Sequence, residues 1–314
     1  MSTVYVFGHT HPDNDAILSA VVLSQLLNAR GDGNLYLPYR LGDIPSESAA
    51  ILDAWDIPEP ALLDEVPSAS VTGERQKVIL VDHNEEIQSV RGLRGADIVG
   101  VVDHHRIAGF STPAPTYFVA LPWGSTCSII YHLFGTLGIE PTSAQFCLML
   151  SAIMTDTIML KSPTTTDHDR RIVADISREL GVDPMEFGMG IFLERADAHP
   201  SPREVVSGDV KAFEIEGRRV VICKHETINK DVVLEDVRAL RIAMDDYRRE
   251  NDCETLVLVV TDVVREGSQV LLCGSVSLPE RALGISDAPE GAWMPGVMSR
   301  KKQIVAPILV ASDR

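Results

Sequence analysis

Aspartate and histidine side chains recur directly after short apolar runs in the N-terminal half of this sequence. The run HTHPDND over residues 9–15 follows the first apolar stretch, the pair DH over residues 82–83 follows a second, and DHH over residues 103–105 follows a third. Another acid, Asp156, ends an apolar helical pattern. Carboxylates and imidazoles without thiolates are typical ligands of Mn²⁺, Co²⁺ or Mg²⁺ rather than of structural zinc. These residue types therefore indicate a site for hard divalent cations.

This many candidate ligands exceed the needs of one catalytic ion. They suit a pair of ions that share a bridging carboxylate and a bridging water, and such a water is deprotonated near neutral pH. Phosphoryl hydrolysis is the usual use of that arrangement. The ordinary alternative is turn chemistry, in which Asp13 or Asp15 caps the helix predicted to begin near Ala16. Recurrence of the pattern after three strands favours the metal site, whereas His11 and His83 are expected to make structural hydrogen bonds.

Hydrophobic periodicity identifies the elements that must position these groups. Short β-branched runs predict strands over residues 3–7, 77–81 and 98–102. Helical patterns cover residues 16–27, 125–137, 143–155 and 167–180. Near-continuous apolar strands that alternate with helices predict a mostly parallel sheet with helices on both faces. Because the carboxyl ends of parallel strands meet at one edge of such a sheet, the aspartates and histidines are expected to converge there.

The periodicity stops at RADAHPSP over residues 195–202, where two prolines and small polar residues predict an interdomain linker. The predicted class is therefore α/β with two domains. A metal-binding catalytic domain would cover residues 1–194, and a smaller mixed α/β domain, expected to bind substrate, would cover residues 203–314. In the smaller domain we predict strands over residues 210–216, 218–224, 255–261, 269–275 and 304–310, and a helix over residues 234–249.

The amino-acid composition limits the kinds of partner and compartment that we expect for this protein. The 314 residues include 45 acidic and 28 basic side chains, for a formal net charge of −17, which disfavours nucleic acid and anionic membrane surfaces. The five cysteines are an odd number without a C-x-x-C pair, as expected in a reducing compartment. The N-terminal run is too short for a signal peptide, and no apolar stretch approaches the roughly 20 residues that span a bilayer. We expect a cytoplasmic protein.

Five short motifs occur in an order that resembles a known family: GHTHPDND, VDHNE, DHH, SAIMTDT and, over residues 299–303, SRKKQ. They resemble the DHH phosphoesterase superfamily, and within it the manganese-dependent family II inorganic pyrophosphatases. The likeness extends over nearly the whole chain. It implies hydrolysis of pyrophosphate to two phosphates by a two-metal mechanism with a metal-bridging water or hydroxide as nucleophile. It also implies a homodimer whose two domains close over the substrate.

The resemblance further implies a role for individual residues. One metal ion would be held by His9, Asp13 and Asp82, and the other by Asp15, Asp82, His104 and Asp156, so that Asp82 bridges. His105 would face the substrate oxygens, while Lys211, Arg300 and Lys301 would grip the phosphates. Catalytic roles fall on His105 and Asp82. The expected cofactors are two Mn²⁺ per subunit, with Co²⁺ or Mg²⁺ as substitutes and additional Mg²⁺ bound with the substrate.

Two features of the sequence remain open to other interpretations. Residue 11 is His, where bacterial members usually have Asn, which puts the hydrogen bonding at that position in doubt. The basic run of residues 300–302 is, for an average protein, a solvated surface patch. It stands here in an otherwise acidic chain and matches the family's motif, which favours a functional role.

Competing functions come from two classes. Within the superfamily, an exopolyphosphatase or a RecJ-like or nanoRNA-like exonuclease is an alternative. The nucleases carry a glycine-rich GG-x-H type motif in the second domain, and this sequence has no Gly-Gly pair. Cleavage of short polyphosphates stays open, because tripolyphosphate differs from pyrophosphate only in length. The other class is a non-catalytic metal-sensing or nucleotide-sensing module, but the regulated relatives carry an inserted CBS pair for which this chain has no room.

Overall fold

The computed structural model describes residues 2–69, 73–197, 200–215 and 217–312. The chain divides into two compact units, Met1–Leu160 with Thr164–Ile191 and Lys161–Pro163 with Phe192–Arg314. Each unit has its own sheet, parallel in the first and mixed in the second, and the predicted fold class is confirmed. Residues 198 and 199 of the predicted linker lie outside the described residues, and the domain boundary stays a prediction.

The first unit is a parallel six-stranded sheet in the order β3-β2-β1-β4-β5-β6. Its strands are β1 (Thr3–Thr10), β2 (Leu35–Leu41), β3 (Ala61–Leu62), β4 (Lys77–Val81), β5 (Asp97–Asp103) and β6 (Tyr117–Ala120). The order reverses between β1 and β4. Open α/β sheets bind ligands beyond the carboxyl ends of the strands at such a reversal. The topology therefore places a binding crevice after β1 and β4.

Of the helices that the structure describes here, two connect strands of the sheet and four follow its last strand, the final one continuing into the second unit. They are α1 (Asn14–Arg30), α2 (Ser46–Ala54), α3 (Thr126–Leu137), α4 (Ser143–Asp156), α5 (Asp167–Leu180) and α6 (Pro184–Asp197), with 3₁₀ turns at Glu86–Gln88 and Leu93–Gly95. Side chains define the helix starts: Thr142 forms a capping box with Gln145, and Thr166 forms one with Asp169. The described part of the chain contains no helix long and apolar enough to cross a membrane.

Three strands of this sheet, β2, β3 and β6, have no counterpart among the predicted elements. β2 carries Pro38 in its middle, and a proline inside an apolar run argues against a strand because it has no backbone N–H. Here Pro38 pairs in register with Val6 of β1, while the short neighbour β3 pairs only at Tyr39 and Arg40. The proline is therefore tolerated near the edge of the sheet.

The second unit has a mixed five-stranded sheet in the order β11-β10-β9-β8-β7. Its strands are β7 (Asp209–Ile215), β8 (Arg218–Thr227), β9 (Thr255–Asp262), β10 (Gly267–Gly274) and β11 (Ala292–Pro295). β8 and β9 are parallel and the other pairs are antiparallel. Its helices are α7 (Pro202–Ser207), α8 (Lys230–Val233), α9 (Val237–Glu250), α10 (Ser277–Leu283) and α11 (Ala306–Ser312), with a π-helical turn at Arg300–Val305.

The strand predicted over residues 304–310 was wrong. This apolar run continues the π-helical turn and forms α11. Ile304 and Ile308 are both fully buried in one core cluster, as expected for residues four apart on one helical face. Periodicity alone does not separate a short buried helix from a strand, but Pro307 was a signal against a central strand.

Candidate metal centre

The first contribution to the site comes from the end of β1 and the start of α1. Asp13 is the N-cap residue of α1, and its Oδ1 accepts a hydrogen bond from Ala16 N at 2.9 Å. Its Oδ2 lies 3.5 Å from His9 Nε2. Asp13 thus caps the helix with one oxygen and faces the histidine with the other. His9 Nδ1 donates to the Thr10 carbonyl at 2.9 Å, which directs Nε2 toward the carboxylates.

Asp82 follows β4 and lies at the centre of the site. Its Oδ2 is 3.3 Å from His9 Nε2, and its Oδ1 is 3.1 Å from His104 Nε2. The backbone of Asp82 has a φ of 58°, in the left-handed region that residues other than glycine seldom adopt. Such strain persists only where surrounding contacts impose it, and it concentrates at functional sites. The two oxygens of Asp82 therefore point at two different groups of side chains.

The third contribution comes from the end of β5. His104 Nδ1 donates to the Trp123 carbonyl at 3.0 Å, so Nε2 is the nitrogen that faces Asp82 and, at 3.2 Å, Asp156 Oδ2. His105 is oriented by Asp103, whose Oδ1 accepts from His105 N at 3.0 Å and from His105 Nδ1 at 2.9 Å. A carbonyl or carboxylate partner on one ring nitrogen fixes the tautomer of the other, as is usual for metal-binding histidines.

The predicted ligands come together in three overlapping groups, in each of which the candidate ligand atoms lie within 4.8 Å of one another. These groups are His9 with Asp13 and Asp82, Asp15 with His104 and Asp156, and Asp82 with His104 and His105. All of the metal ligands expected from the sequence are therefore gathered at one end of the parallel sheet. His105, expected to face substrate, lies beside them.

The carboxylates of this centre repel one another. Burial, followed by the charges of Asp82, Asp156 and Asp13, raises the pKa of Asp15 to about 7. Burial also raises the pKa of Asp82, but the charge of His105 and hydrogen bonds from His104 and His9 outweigh it and hold that pKa well below its usual range. A divalent cation between these groups would remove the repulsion, so the donor set fits a hard metal ion.

A cysteine thiol also lies close to this centre. Cys127 Sγ is 3.3 Å from Ser19 Oγ, and Cys127 N donates to Asp15 Oδ1 at 3.1 Å. Burial, followed by the charge of Asp15, raises the pKa of the thiol well above its usual range. The sulfur therefore stays protonated, and the donor set consists of oxygen and imidazole nitrogen.

His11 and His83, expected to be structural, occupy different environments. His83 is buried, where Nδ1 donates to the Val81 carbonyl at 2.9 Å and Nε2 accepts from Ser89 Oγ at 3.0 Å. Burial lowers the pKa of His83 to about 4, so this ring is neutral. His11 is exposed and has a φ of 52°, a conformation in which Asn and His are both enriched.

Sequence reasoning missed the groups that hold Asp15 and Asp82 in place. Asp15 accepts hydrogen bonds from Ser125 Oγ at 2.9 Å and from Thr126 N at 2.7 Å, besides that from Cys127 N. Thr126 Oγ1 donates to Asp82 Oδ1 at 2.9 Å. These donors form the N-terminus of α3, a position that favours anions. The sequence feature that marks these groups is WGST over residues 123–126, directly before an apolar helical run. By itself this feature indicates only the start of a helix.

The cationic residues expected to grip phosphate belong to the second unit. Lys211 is buried on β7, and Arg300 is a buried residue that begins the π-helical turn. Arg300 Nη1 lies 2.8 Å from Asp209 Oδ1 and donates to the Asp209 carbonyl at 3.1 Å. Asp209 and Lys211 are two residues apart on one strand, so their side chains share a face. Lys301, which follows Arg300, is partly buried.

Comparison with known proteins assigns the chain to a family. The family model "DHH family, N-terminal domain" matches residues 3–153, and the model "DHHA2 domain" matches residues 195–311, which defines a DHH phosphoesterase. The "Probable manganese-dependent inorganic pyrophosphatase" of Staphylococcus carnosus is 36% identical over 99% of each chain. Its namesake from Archaeoglobus fulgidus is 31% identical over 97% of each.

A solved structure extends the likeness to three dimensions. The crystal structure of a Methanococcus jannaschii protein, described as a "putative family II inorganic pyrophosphatase", superposes with a TM-score of 0.88 at 31% identity, covering 99% of this chain and 100% of its own. The chain therefore belongs to the manganese-dependent, family II inorganic pyrophosphatases, as its motifs suggested.

Proposed function

We propose that this protein hydrolyses pyrophosphate to two phosphates with Mn²⁺ as its cofactor. The observation that carries the proposal is the convergence of carboxylates and imidazoles on Asp82, at the strand-order reversal of the parallel sheet, in a chain of this family. An enzyme for this reaction must screen a highly charged substrate from its nucleophile, and a pair of divalent ions with a cationic clamp is suited to that task.

Two ions per subunit are part of the proposal. His9, Asp13 and Asp82 would hold one, and Asp15, Asp82, His104 and Asp156 would hold the other. The two oxygens of Asp82 support its bridging role, because Oδ2 lies 3.3 Å from His9 Nε2 and Oδ1 lies 3.1 Å from His104 Nε2. When bound, such an ion pair lowers the pKa of a shared water and neutralises charge on phosphate oxygens. Further Mg²⁺ would enter with the substrate.

His105 is the protein group suited to hold or deliver a proton. Asp103 engages Nδ1 at 2.9 Å and leaves Nε2 as the nitrogen for substrate. Burial raises the pKa of Asp103, but the charge and hydrogen bond of His105 outweigh it and keep that pKa below its usual range. The carboxylate therefore stays ionised at neutral pH and stabilises a protonated His105. This arrangement fits donation to an oxygen of the leaving phosphate.

Positive charge for the phosphates would come from Lys211, Arg300 and Lys301. A guanidinium offers a planar pair of donors that matches phosphate oxygens, and an ammonium supplies a compact charge. The proposal also includes a homodimer, a catalytic domain over residues 1–194 and a substrate-binding domain over residues 203–314. A cytoplasmic location is consistent with the free thiols of all the cysteines.

Phosphate release by chelator-stripped protein tests this function. Mn²⁺, Co²⁺, Mg²⁺ and Zn²⁺ are added back in turn, with pyrophosphate, tripolyphosphate and a dinucleotide as parallel substrates. We expect fast release from pyrophosphate with Mn²⁺ or Co²⁺. Activity on only the longer or nucleotide substrates would move the chain to a sister branch of the superfamily.

A further inference from the structure

A single stretch of backbone holds several of the proposed ligands. Residues 123–128, which we name the support segment, accept the Nδ1 hydrogen bond of His104 through the Trp123 carbonyl. The same segment donates to Asp15 from Ser125 Oγ and from the amides that follow it, and to Asp82 from Thr126 Oγ1. Any shift of this segment would therefore move groups assigned to both ions.

A buried carboxylate outside the metal cluster secures this segment near both of its ends. Asp169 on α5 has no exposed surface. Its Oδ2 accepts from Gly124 N at 2.9 Å, and its Oδ1 accepts from Ser128 Oγ at 2.6 Å. A carboxylate accepts hydrogen bonds on both oxygens at once and so can tie two points of a chain together. Asp169 thus acts as a clamp across the support segment.

The packing around Gly124 shows how closely this clamp fits. A Cβ atom at residue 124 would lie 2.8 Å from Asp169 Oδ2 and 2.6 Å from Thr157 Cγ2. Both distances are shorter than any relaxed contact, so only glycine brings the segment this close to Asp169. Thr157 directly follows Asp156, one of the proposed ligands. Gly124 therefore lies between Asp169 and the residue that follows a proposed ligand.

We propose that Asp169 is a positioning residue of the metal centre, which fixes the support segment and through it the orientation of Asp15, Asp82 and His104. This inference rests on the proposed function. Metal ligands depend on the groups behind them, whose loss commonly weakens metal binding about 10–100-fold. Asp169 does not touch the proposed ligands, and its effect passes entirely through Gly124 and Ser128.

Asp169 also caps a helix, and the experiment must separate this role from its links to the support segment. Its Oδ2 also accepts from Thr166 N and Thr166 Oγ1, both at 2.7 Å, in the capping box that begins α5. Loss of a cap commonly lowers the Tm of a protein without any effect on a distant site. Thr166→Val removes the hydroxyl of the cap and leaves the links to Gly124 and Ser128 intact. Ser128→Ala does the reverse.

Removal of charge must also be separated from loss of position. Asp169→Asn has the same shape and one acceptor oxygen, and its amide can donate to the Ser128 hydroxyl, so it can preserve the clamp without the charge. Asp169→Ala abolishes both. A matched control is Asp262→Ala in the second unit, since Asp262 is also fully buried and accepts from backbone amides, Arg265 N at 2.8 Å among them.

The test is a calorimetric titration of each chelator-stripped full-length variant with Mn²⁺, alongside the Tm of each. We expect Asp169→Ala to raise the Mn²⁺ dissociation constant about 10–100-fold and Ser128→Ala about 3–10-fold. Asp169→Asn, Thr166→Val and Asp262→Ala should stay within about threefold of the parent chain, even where the Tm falls. Equal losses for Asp169→Asn and Asp169→Ala would overturn positioning in favour of charge, and unchanged affinity in both Asp169→Ala and Ser128→Ala would overturn it altogether.

A second readout does not require metal. Hydrogen exchange at the amides of Thr126 and Cys127 in the metal-free protein should accelerate at least about tenfold in Asp169→Ala, while Asp262→Ala leaves it unchanged. If the parent chain fails to bind Mn²⁺, the proposed function is wrong. The exchange rates still decide whether Asp169 fixes the support segment, since unchanged rates in Asp169→Ala contradict it.

Discussion

The two units of this protein collect opposite charges by different means. In the first, acidic and histidine side chains come from the ends of β1, β4 and β5, where parallel topology forces them together. In the second, Lys211 comes from within an edge strand of a mixed sheet, and Arg300 from a π-helical turn far along the chain. In the parallel sheet, strand direction thus brings together the candidate ligands that follow its strands, with Asp156 added from the end of α4, whereas the mixed sheet has no such common edge.

The units also differ in how their charges are balanced. The carboxylates of the first repel one another strongly enough that the pKa of Asp15, raised first by burial and then by its acidic neighbours, reaches about 7. In the second, Arg300 is already paired with Asp209 at 2.8 Å. The carboxylates of the first unit therefore favour a cation bound among them, while Arg300 of the second unit already has an acidic partner of its own. Substitutions in the first unit should accordingly change Mn²⁺ binding or turnover, whereas substitutions in the second should change KM for pyrophosphate.

The largest effect is expected at Asp82. Asp82→Asn removes the charge and one of the two oxygens that we propose to bridge the ions, while asparagine tolerates the left-handed backbone at this position. We expect kcat/KM for pyrophosphate to fall by about 10³-fold or more, equivalent to about 4 kcal/mol, together with loss of bound Mn²⁺. Steady-state kinetics and metal analysis measure both. Activity within tenfold of the parent chain would show that Asp82 does not bridge.

His105 is expected to show the next largest effect, and of another kind. His105→Gln should lower kcat about 10²–10⁴-fold, the usual contribution of a positioned proton donor, with Mn²⁺ content unchanged. Loss of metal from this variant would instead make His105 a ligand.

Arg300→Lys distinguishes most clearly between the proposed roles of the two units. Lysine keeps the charge but loses the planar pair of donors, and with it the geometry toward Asp209 and the fork that we propose for phosphate. We expect KM for pyrophosphate to rise about 10–100-fold, while the Mn²⁺ dissociation constant measured without substrate stays the same. A matched rise in the Mn²⁺ constant would mean that the units do not divide their tasks in this way.

The smallest effect expected is a proton linkage confined to the first unit. Because the pKa of Asp15 in the metal-free protein is raised to about 7, this group binds a proton below that pH that Mn²⁺ must displace. Affinity for Mn²⁺ should therefore rise with pH up to about 7 and flatten above it. Titration calorimetry in buffers of different ionisation enthalpy should detect more protons released at pH 6 than at pH 8. Equal release at both would contradict the assignment.

The difference between the parallel and the mixed sheet also explains which site residues could be placed from the sequence. His9, Asp82 and His104 could be placed together because each follows an apolar strand, and strand ends of a parallel sheet share one edge. Nothing in the spacing of Lys211 and Arg300 joins them, and their roles came from family resemblance alone. In physical terms, local pattern specifies strand direction but does not specify which edge of a mixed sheet a distant turn will meet.

The support segment and Asp169 were beyond prediction for a related reason. Asp169 reaches Gly124 across 45 positions of sequence, and Thr126 reaches Asp15 across 111. The first hydrogen bond arises only once α5 packs beside the start of α3, and the second only once α1 and α3 are packed. In the sequence, Asp169 reads as an ordinary capping residue. The prediction of a strand over residues 304–310 failed for the opposite reason. The local apolar run is compatible with both a helix and a strand, and only the packing of Ile304 and Ile308 shows that it is a helix.

The proposal that Asp82 bridges a pair of ions is tested most directly by anomalous diffraction at the manganese absorption edge from crystals equilibrated with Mn²⁺. A bridged pair predicts two peaks about 3.5–4 Å apart, one beside His9 and Asp13 and the other beside His104 and Asp156, with Asp82 between them. A single peak, or two peaks that do not share Asp82, would contradict it.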